Sequence, residues 1–546
     1  MSERRPGDES GAVLVLVALM LPVLLAAAGI ALDLGHWFLA AQREQKAADA
    51  AALAGAIYLP GTPPTAIATA TDLARRNGFA NDADTKVVVT QEPKPSRLRV
   101  TVTQNRKNFF GAFLGLTTTK ITRTAVAEFQ GPVPMGSPAN TFGSEPLGGN
   151  DTQRWSTVFT TPATQPLFWA NVAGPGSPKR NGDAHQAGVC TAGDDGCSGS
   201  VNDDYSPNGY FYAVRVPTPP AGKKLSIQVF DPAFVAVGDH CTDHLASATA
   251  STNPFVTDAA TRYASGDGPF CTGDVLFGAP VTTTFVVRAP SPTPWDPLSG
   301  AVVSTGTCRP VQYPGFDLDL AAPLKDPGGD ANLQQWFRRW VPVCDIDTPV
   351  AGDYLLQVRT NVRFGSSPTG PADTSTPGSG HNRFAIRAGF VDGAGVVSGS
   401  GVRIFATTTM AIYANNPAST TQFYLVRLPS GSGGRVLVLS FFDVGDADTG
   451  TLRVVPPPDY SSTPFSSCTG EGPRVGALTN CALATNPTDF QGRWERVRVP
   501  IPSGYTCNDG DPKGCWVRVE YNYSGGAQDT TTWSASIEGD PVRLVE

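Results

Sequence analysis

The hydrophobic pattern separates an uncharged N-terminal stretch from a long remainder in which apolar and polar residues alternate. The stretch runs from Ala12 to Leu32 and reads AVLVLVALMLPVLLAAAGIAL. As an α-helix, its 21 residues would extend about 31 Å, which matches the hydrocarbon core of a bilayer. The pattern therefore predicts a transmembrane helix over residues 12–32, with residues 1–11 as a short cytoplasmic tail.

A cleaved signal peptide is the alternative interpretation of the same stretch. Arg4 and Arg5 precede the apolar run, and Ala26-Ala27-Ala28 offers small side chains for cleavage. The run continues past these alanines and is long for the core of a signal peptide, which favours a retained helix.

Helix-forming residues continue beyond the apolar run to Pro60, so the membrane helix is predicted to project from the bilayer as an alanine-rich stem. Ala47, Ala51 and Ala54 fall on one helical face, where small side chains let another part of the chain approach closely. The strand patterns VVVTQ, LRVTVTQ and TRTAVAEF follow, with the turn FFGAFLGL between the last two. Residues 33–130 are therefore expected to form a helical stem and a small α+β module.

The remainder contains two matching pairs of strand patterns. Residues 212–217 (YAVRVP) match residues 424–429 (YLVRLP), and residues 224–231 (KLSIQVFD) match residues 436–443 (VLVLSFFD), both at an offset of 212 residues. In each copy, alternating apolar residues flank a Pro- or Gly-rich turn, which predicts an antiparallel hairpin.

This internal repeat predicts two tandem antiparallel domains of β-sandwich or jelly-roll type, at residues 150–395 and 400–546. The Pro-, Gly- and Ser-rich residues 131–149 are expected to link them to the preceding module. The composition, with 58 Gly, 48 Pro and only 16% charged residues, also favours a mainly β fold with many turns. The formal net charge of −7 offers no broad positive field for a phosphate backbone, so nucleic acid is not an expected partner.

The ten cysteines all lie in the C-terminal two-thirds of the chain and are expected to form disulfides. Zinc binding is the alternative, but the sequence contains no C-x-x-C pair. Pairing of sequence neighbours is the simplest pattern, although spacing alone does not fix connectivity. Disulfides require an oxidising compartment, which places the C-terminal part outside the cytoplasm and the N-terminus inside. The candidates are Cys190, Cys197, Cys241, Cys271, Cys308, Cys344, Cys468, Cys481, Cys507 and Cys515.

The N-terminal sequence SGAVLVLVALMLPVLLAAAGIALDLGHWFLAAQREQKAADAAALAGA is similar to that of TadG-like proteins of the tight-adherence (Flp) pilus system. The similarity includes Asp33-Leu34-Gly35 and the alanine-rich residues 48–55, and it extends more loosely to Gln130. It implies a membrane-anchored role in pilus assembly. Pilins are cut after a Gly that is followed five residues later by Glu, whereas Gly11 is followed there by Leu16, so a processed pilin is not expected.

Candidate chemical sites are few. Asp443, Asp446 and Asp448 lie in a Gly-containing stretch whose carboxylates are suited to Ca²⁺, although the full EF-hand spacing is missing. The alternative is a solvated turn in which Asp side chains cap backbone amides. The sequence contains no G-x-S-x-G, G-x-x-x-x-G-K or H-E-x-x-H motif, so no catalytic residues, no cofactor and no enzymatic activity are predicted.

Three functions compete on this evidence. The first is a non-enzymatic accessory protein of Flp pilus assembly and surface adherence, anchored in the cytoplasmic membrane, with pilus-assembly proteins or the envelope surface as partners. The second is a stand-alone surface adhesin or glycan-binding protein on a TadG-like anchor. The third is a secreted hydrolase, which only the size of the body suggests.

Overall fold

The structure, a computed structural model, divides the chain into two compact units. The N-terminal unit comprises residues 1–131, 292–295 and 539–546, and the body comprises residues 132–291 and 296–538. The structure describes residues 9–59, 63–93, 96–129, 133–147, 153–161, 164–235, 274–277, 281–291, 296–315, 336, 338–373, 378–393, 395, 397–399, 401–416, 420–445, 449–460, 464–538 and 542–545.

The N-terminal unit contains two helices and an antiparallel sheet. Helix α1 has 48 residues and continues through Pro22, so the predicted membrane helix and its stem are one element. The sheet order is β1-β2-β3 followed by a short strand from the other end of the chain, which we call the return strand. The elements are α1 Glu9–Ala56, α2 Pro63–Arg76, β1 Thr85–Gln91, β2 Arg97–Lys107, β3 Thr118–Phe129 and the return strand Val542–Leu544.

Small side chains allow α1, α2 and the sheet to pack closely. Ala48, Ala51 and Ala52 of α1 are fully buried, as are Ala66 and Ala70 of α2. A Cβ atom at Gly55 would lie 2.4 Å from Leu98 Cδ2 of β2 and 2.7 Å from the Ala66 carbonyl oxygen of α2. The alanine-rich stem is therefore packed within its own unit, at the point where helix and sheet approach most closely.

The return strand completes this sheet by pairing with β3. Val542 lies opposite Phe129, and Arg543 lies opposite Glu128. The Glu128 side chain is fully buried, and its Oε2 is 3.2 Å from Nη2 of both Arg97 and Arg543. Two arginines thus surround one buried carboxylate, which supplies the charge pairing that a buried carboxylate requires. The body is consequently inserted, along the chain, between two adjacent strands of the N-terminal unit.

The described part of the body consists mainly of β-strands. Its strands are β4 Pro134–Met135, β5 Thr141–Phe142, β6 Phe168–Ala173, β7 Cys197–Ser198, β8 Val201–Asn202, β9 Tyr210–Val216, β10 Lys224–Phe230, β11 Val275–Phe277, β12 Thr282–Arg288, β13 Val311–Pro314, β14 Trp340–Ile346, β15 Gly352–Arg359, β16 Ser379–Val391, β17 Val397–Ser398, β18 Arg403–Thr407, β19 Thr409–Asn416, β20 Thr420–Arg427, β21 Val436–Phe442, β22 Gly450–Val455, β23 Cys468–Glu471, β24 Gly476–Leu478, β25 Ala482–Thr485, β26 Trp494–Pro500, β27 Trp516–Tyr523 and β28 Ala527–Ile537. A short helix, α3, spans Pro487–Phe490.

Within the described residues, two large antiparallel sheets of 13 and 10 strands enclose the main core. Aromatic pairs join the sheets, as between Phe285 of β12 and Phe384 of β16, whose ring centroids are 5.7 Å apart. Phe423 of β20 and Trp533 of β28 make the same kind of contact at 6.4 Å. The predicted mainly β, sandwich-like fold class is confirmed.

The strands with matched sequence patterns are divided between the two large sheets. The main path of the larger sheet runs β14-β10-β16-β6-β19-β28-β21-β26-β23-β24, with β5, β11 and β17 paired to β16, and the smaller sheet runs β13-β12-β15-β9-β18-β4-β20-β27-β22-β25. Strands β9 and β20 lie in the smaller sheet and β10 and β21 in the larger one, so neither matched pattern forms the predicted antiparallel hairpin; each segment instead crosses from one sheet to the other. In the smaller sheet β9 and β20 are each fourth from an end, whereas on the main path of the larger sheet β10 is second from one end and β21 is fourth from the other. This order leaves the tandem duplication a prediction. The domain boundary at residues 395–400 stays a prediction, because both halves lie in one compact unit.

The stretch 131–149, predicted to be a linker, is packed into the body where it is described. Residues 133–146 of this stretch are mostly buried, and β4 lies between β18 and β20 near the centre of the smaller sheet. The Glu145 side chain is fully buried and accepts hydrogen bonds from the backbone N–H groups of Trp155 (2.6 Å) and Ser156 (3.2 Å). The Pro, Gly and Ser content therefore reflects tight turns within the body.

We predict that Gly55→Ala destabilises the N-terminal unit by about 1–3 kcal/mol, because the added methyl group overpacks the contact with Leu98 and Ala66. Gly35→Ala in the same helix is the matched control, since a Cβ there meets nothing within 4 Å. Hydrogen exchange of the β2 amides in the detergent-solubilised chain measures the difference. Equal protection in the two variants would contradict the described packing.

A second prediction concerns Glu495 in β26, whose side chain is buried and accepts a hydrogen bond from the Arg474 N–H at 2.9 Å. Burial raises the pKa of Glu495 to about 7. The folded chain therefore retains a proton that the unfolded chain releases at about pH 4.3, so stability falls as pH rises between these two values. Glu495→Gln should remove about 1–3 kcal/mol of this decline, measured as urea-unfolding midpoints at about pH 5 and about pH 8.

The control for Glu495 is Glu471→Gln, at a half-exposed carboxylate on the neighbouring strand β23. It should retain most of the decline in stability. A pH dependence that persists unchanged in Glu495→Gln would disprove the assignment to this carboxyl group.

Candidate membrane anchor

The first half of α1 exposes an apolar surface, whereas its second half packs within the N-terminal unit. Among the described residues, α1 is the one helix long and apolar enough to cross a membrane. From Ala40 onward, one face of the helix is buried. The large apolar side chains that are 50–73% exposed are Leu14, Val15, Leu16, Val17, Leu19, Met20, Leu21, Val23, Leu24, Leu25, Ile30, Leu32, Leu34, Phe38 and Leu39.

Asp33 is the first charged residue after the apolar run, and it fixes a turn of the sheet to the helix. Its carboxylate is 3% exposed and accepts backbone hydrogen bonds from Phe109 (2.7 Å), Phe110 (3.0 Å) and Gly111 (2.7 Å). These donors begin the 3₁₀ turn Gly111–Leu114, so Asp33 satisfies N–H groups that the turn itself leaves unpaired. Sequence analysis listed Asp33 only as part of a family pattern and missed this role.

Two further contacts hold the turn against α1. The Phe110 ring lies directly on Gly29, where an added Cβ would be 2.3 Å from the ring. Trp37 Nε1 donates to Asn108 Oδ1 at 2.9 Å, and Asn108 Nδ2 donates to the Leu116 carbonyl at 2.8 Å. One face of α1, from Gly29 to Trp37, is therefore the platform on which the turn between β2 and β3 rests.

The candidate calcium residues are only partly described. Asp443 is 1% exposed, has a positive φ of 63° and accepts a hydrogen bond from the Gly492 N–H at 2.5 Å. Asp231, its counterpart in the sequence repeat, is fully buried with φ 58° and accepts from the Arg338 N–H at 3.1 Å. The donor N–H group lies two residues before β26 for Asp443 and two residues before β14 for Asp231. Asp446 and Asp448 lie outside the described residues, so the calcium hypothesis stays a prediction.

Eight of the ten cysteines form four disulfides in the body, and no free cysteine occurs in the described part of the chain. The neighbour pairs Cys190–Cys197 and Cys507–Cys515 are present. The other two are Cys308–Cys344 and Cys468–Cys481. Cys241 and Cys271 lie outside the described residues.

Asp459 lies close to Cys507 and Cys515, which is the kind of cluster that can bind a metal ion. Both sulfurs belong to a disulfide and therefore offer no thiolate. The Asp459 carboxylate accepts backbone hydrogen bonds from Asn508 (2.6 Å) and Cys515 (3.2 Å). This cluster is a capped disulfide loop, and its donor set does not suit a metal ion.

A cleft of about 450 Å³ opens at the β13 edge of the body. Tyr313, Trp336, Phe364 and Arg309 contribute to its lining. The Tyr313 and Trp336 rings meet edge to face with centroids 5.3 Å apart. The lining therefore combines aromatic rings with one guanidinium group.

Comparison with known proteins gives one finding, and it falls on α1. Residues 11–57 match the family model described as "Putative Flp pilus-assembly TadE/G-like". No curated protein and no solved structure matches the chain. The matched residues include the exposed apolar half of α1, the face from Gly29 to Trp37 on which the turn between β2 and β3 rests, and the alanines that pack against α2. The similarity to the TadE/G-like family therefore lies on α1, from residue 11 to the end of the helix.

Proposed function

We propose that this protein is a membrane-anchored, extracytoplasmic accessory protein of Flp pilus assembly and surface adherence. In this proposal, α1 crosses the cytoplasmic membrane with its N-terminus in the cytoplasm, and the body lies outside. The partners are the membrane and pilus-assembly proteins or the envelope surface. The protein acts by binding and positioning, without catalysis.

One coincidence supports the proposal most directly. The TadE/G-like match falls on the same helix whose large apolar side chains are exposed in the described part of the chain. A continuous apolar surface of this length is unfavourable in water and favourable in a bilayer. The four disulfides of the body agree with an oxidising compartment on the far side of that membrane.

A stand-alone adhesin or glycan-binding protein is the second candidate. The cleft at Tyr313, Trp336 and Arg309 favours it, because stacking on aromatic rings is a common mode of sugar binding. In that case the TadE/G-like domain would serve only as an anchor.

Membrane topology is the first test of the proposed function. Val475 is 86% exposed in the body, so Val475→Cys should react with a membrane-impermeant maleimide on intact spheroplasts. Ser2→Cys should react only after permeabilisation. Gel mobility of the labelled chain also tests the signal-peptide alternative, because cleavage would remove the Ser2→Cys label from the mature protein. Protection of Val475→Cys in intact spheroplasts would refute the proposed orientation.

The second prediction separates the two candidate functions. Deletion of the gene should reduce Flp fibres on the cell surface, as counted by electron microscopy, and the full chain should restore them. A secreted form, in which a cleavable signal peptide replaces residues 1–32, should not restore fibres, because the accessory protein must be held at the membrane. Non-reducing gels should first show that both forms accumulate with their disulfides. Loss of surface attachment with intact fibres would favour the adhesin instead.

A further inference from the structure

We propose that the turn Phe109–Leu116 of the N-terminal unit lies in the lipid interface beside α1, with Phe109, Phe113 and Leu116 as its lipid-contacting side chains. This inference rests on the proposed membrane anchoring. It adds a second contact with the bilayer, made by a part of the chain that is distant from the span in sequence.

The turn exposes more apolar surface than the rest of the N-terminal unit outside α1. Phe109 is 64% exposed, Phe113 is 87% exposed and Leu116 is 63% exposed. The next most exposed large apolar side chains of the described unit are Leu544 at 41% and Val88 at 39%. Three large apolar side chains grouped on one turn are typical of a surface that another phase or molecule covers.

The contacts with α1 determine the depth of this turn. Phe110 packs on Gly29, three residues before the end of the apolar run, and the Asp33 carboxylate binds the N–H groups of residues 109–111. At about 1.5 Å per residue, Gly29 lies about 4–5 Å inside the end of the run. If residues 12–32 fill the hydrocarbon core, the tip of the turn reaches the level where that core meets the headgroups.

The residues around the turn are suited to the level where the hydrocarbon core meets the headgroups. Trp37 donates its ring N–H to Asn108, and the His36 ring meets the Phe109 ring edge to face at 5.2 Å. Amphipathic rings are enriched where the membrane meets water. Lys107 and Lys120 are exposed on the strands that enter and leave the turn, where cations face lipid phosphates. Because the exposed apolar side chains of the turn are continuous with the apolar half of α1, we assign lipid as the phase that covers them.

The test uses the full chain in vesicles of phosphatidylethanolamine and phosphatidylglycerol, with an environment-sensitive fluorophore, nitrobenzoxadiazole, attached at single introduced cysteines. The wild-type chain measures background labelling. Phe113→Cys should give blue-shifted emission and several-fold stronger quenching by doxyl-labelled lipid than Pro93→Cys. Pro93 is the matched control, because it is exposed and follows the opposite end of the sheet, about 30 Å from the turn along β2.

Leu16→Cys, within the apolar half of α1, separates this inference from the anchoring proposal. If Leu16→Cys is quenched by lipid and Phe113→Cys behaves like Pro93→Cys, the interfacial turn is disproved and the anchor stands. If Phe113→Cys is shielded from aqueous iodide without quenching by lipid, a protein partner covers the turn and the lipid assignment is wrong. If Leu16→Cys itself is accessible to iodide, both proposals fail.

Discussion

The apolar surface on the first half of α1 is the constraint on which the rest of the structure depends. These side chains are exposed along successive turns of the helix, whereas Gly29 and Asp33 are buried under the turn between β2 and β3, and the buried face becomes continuous from Ala40 onward. The surface needs a non-aqueous phase, and the second half of α1 needs protein packing. One uninterrupted helix therefore connects two environments, and Asp33 lies at the change between them. Its carboxylate is buried without loss of hydrogen bonds because three backbone N–H groups bind it.

The body is a large β structure in a chain that has few charged residues and many glycines and prolines. Its two sheets share one core, and each segment with the matched sequence pattern contributes one strand to each sheet. Asp231 and Asp443 directly follow the second strand of the two segments. Each takes a left-handed backbone conformation at the end of a core strand, and each caps the chain that enters the next strand pair. Both carboxylates have a local hydrogen-bonding role, as the capping alternative to calcium predicts for Asp443.

Sequence reasoning succeeded where the signal is long or repeated. The long apolar helix that includes residues 12–32, the mainly β class and the strands within residues 212–231 and 424–443 all depend on apolar periodicity over many residues. The pairing of those strands was predicted wrongly, because β9 and β20 lie in the smaller sheet and β10 and β21 lie in the larger one. It failed where elements are very short. Strands β4 and β5 have two residues each, so periodicity does not reveal them, and the Pro, Gly and Ser around them predicted a linker. Asp33 is a single carboxylate whose partners lie far away along the chain. The available signal was the position of Asp33, a lone acidic residue directly after an uncharged stretch, which indicates that its carboxylate has a binding partner.

The return strand has a consequence for how the chain is made. Its partner β3 is synthesised before the body, whereas Val542–Leu544 emerges after it, so the sheet of the N-terminal unit lacks one strand throughout synthesis of the body. During that time the edge of β3 and the buried site of Glu128 have no contact with Arg543. An open strand edge is an aggregation hazard that grows with the time it is left unpaired. The body, whose non-local strand pairs are expected to form slowly, must therefore be synthesised before β3 can pair with the return strand.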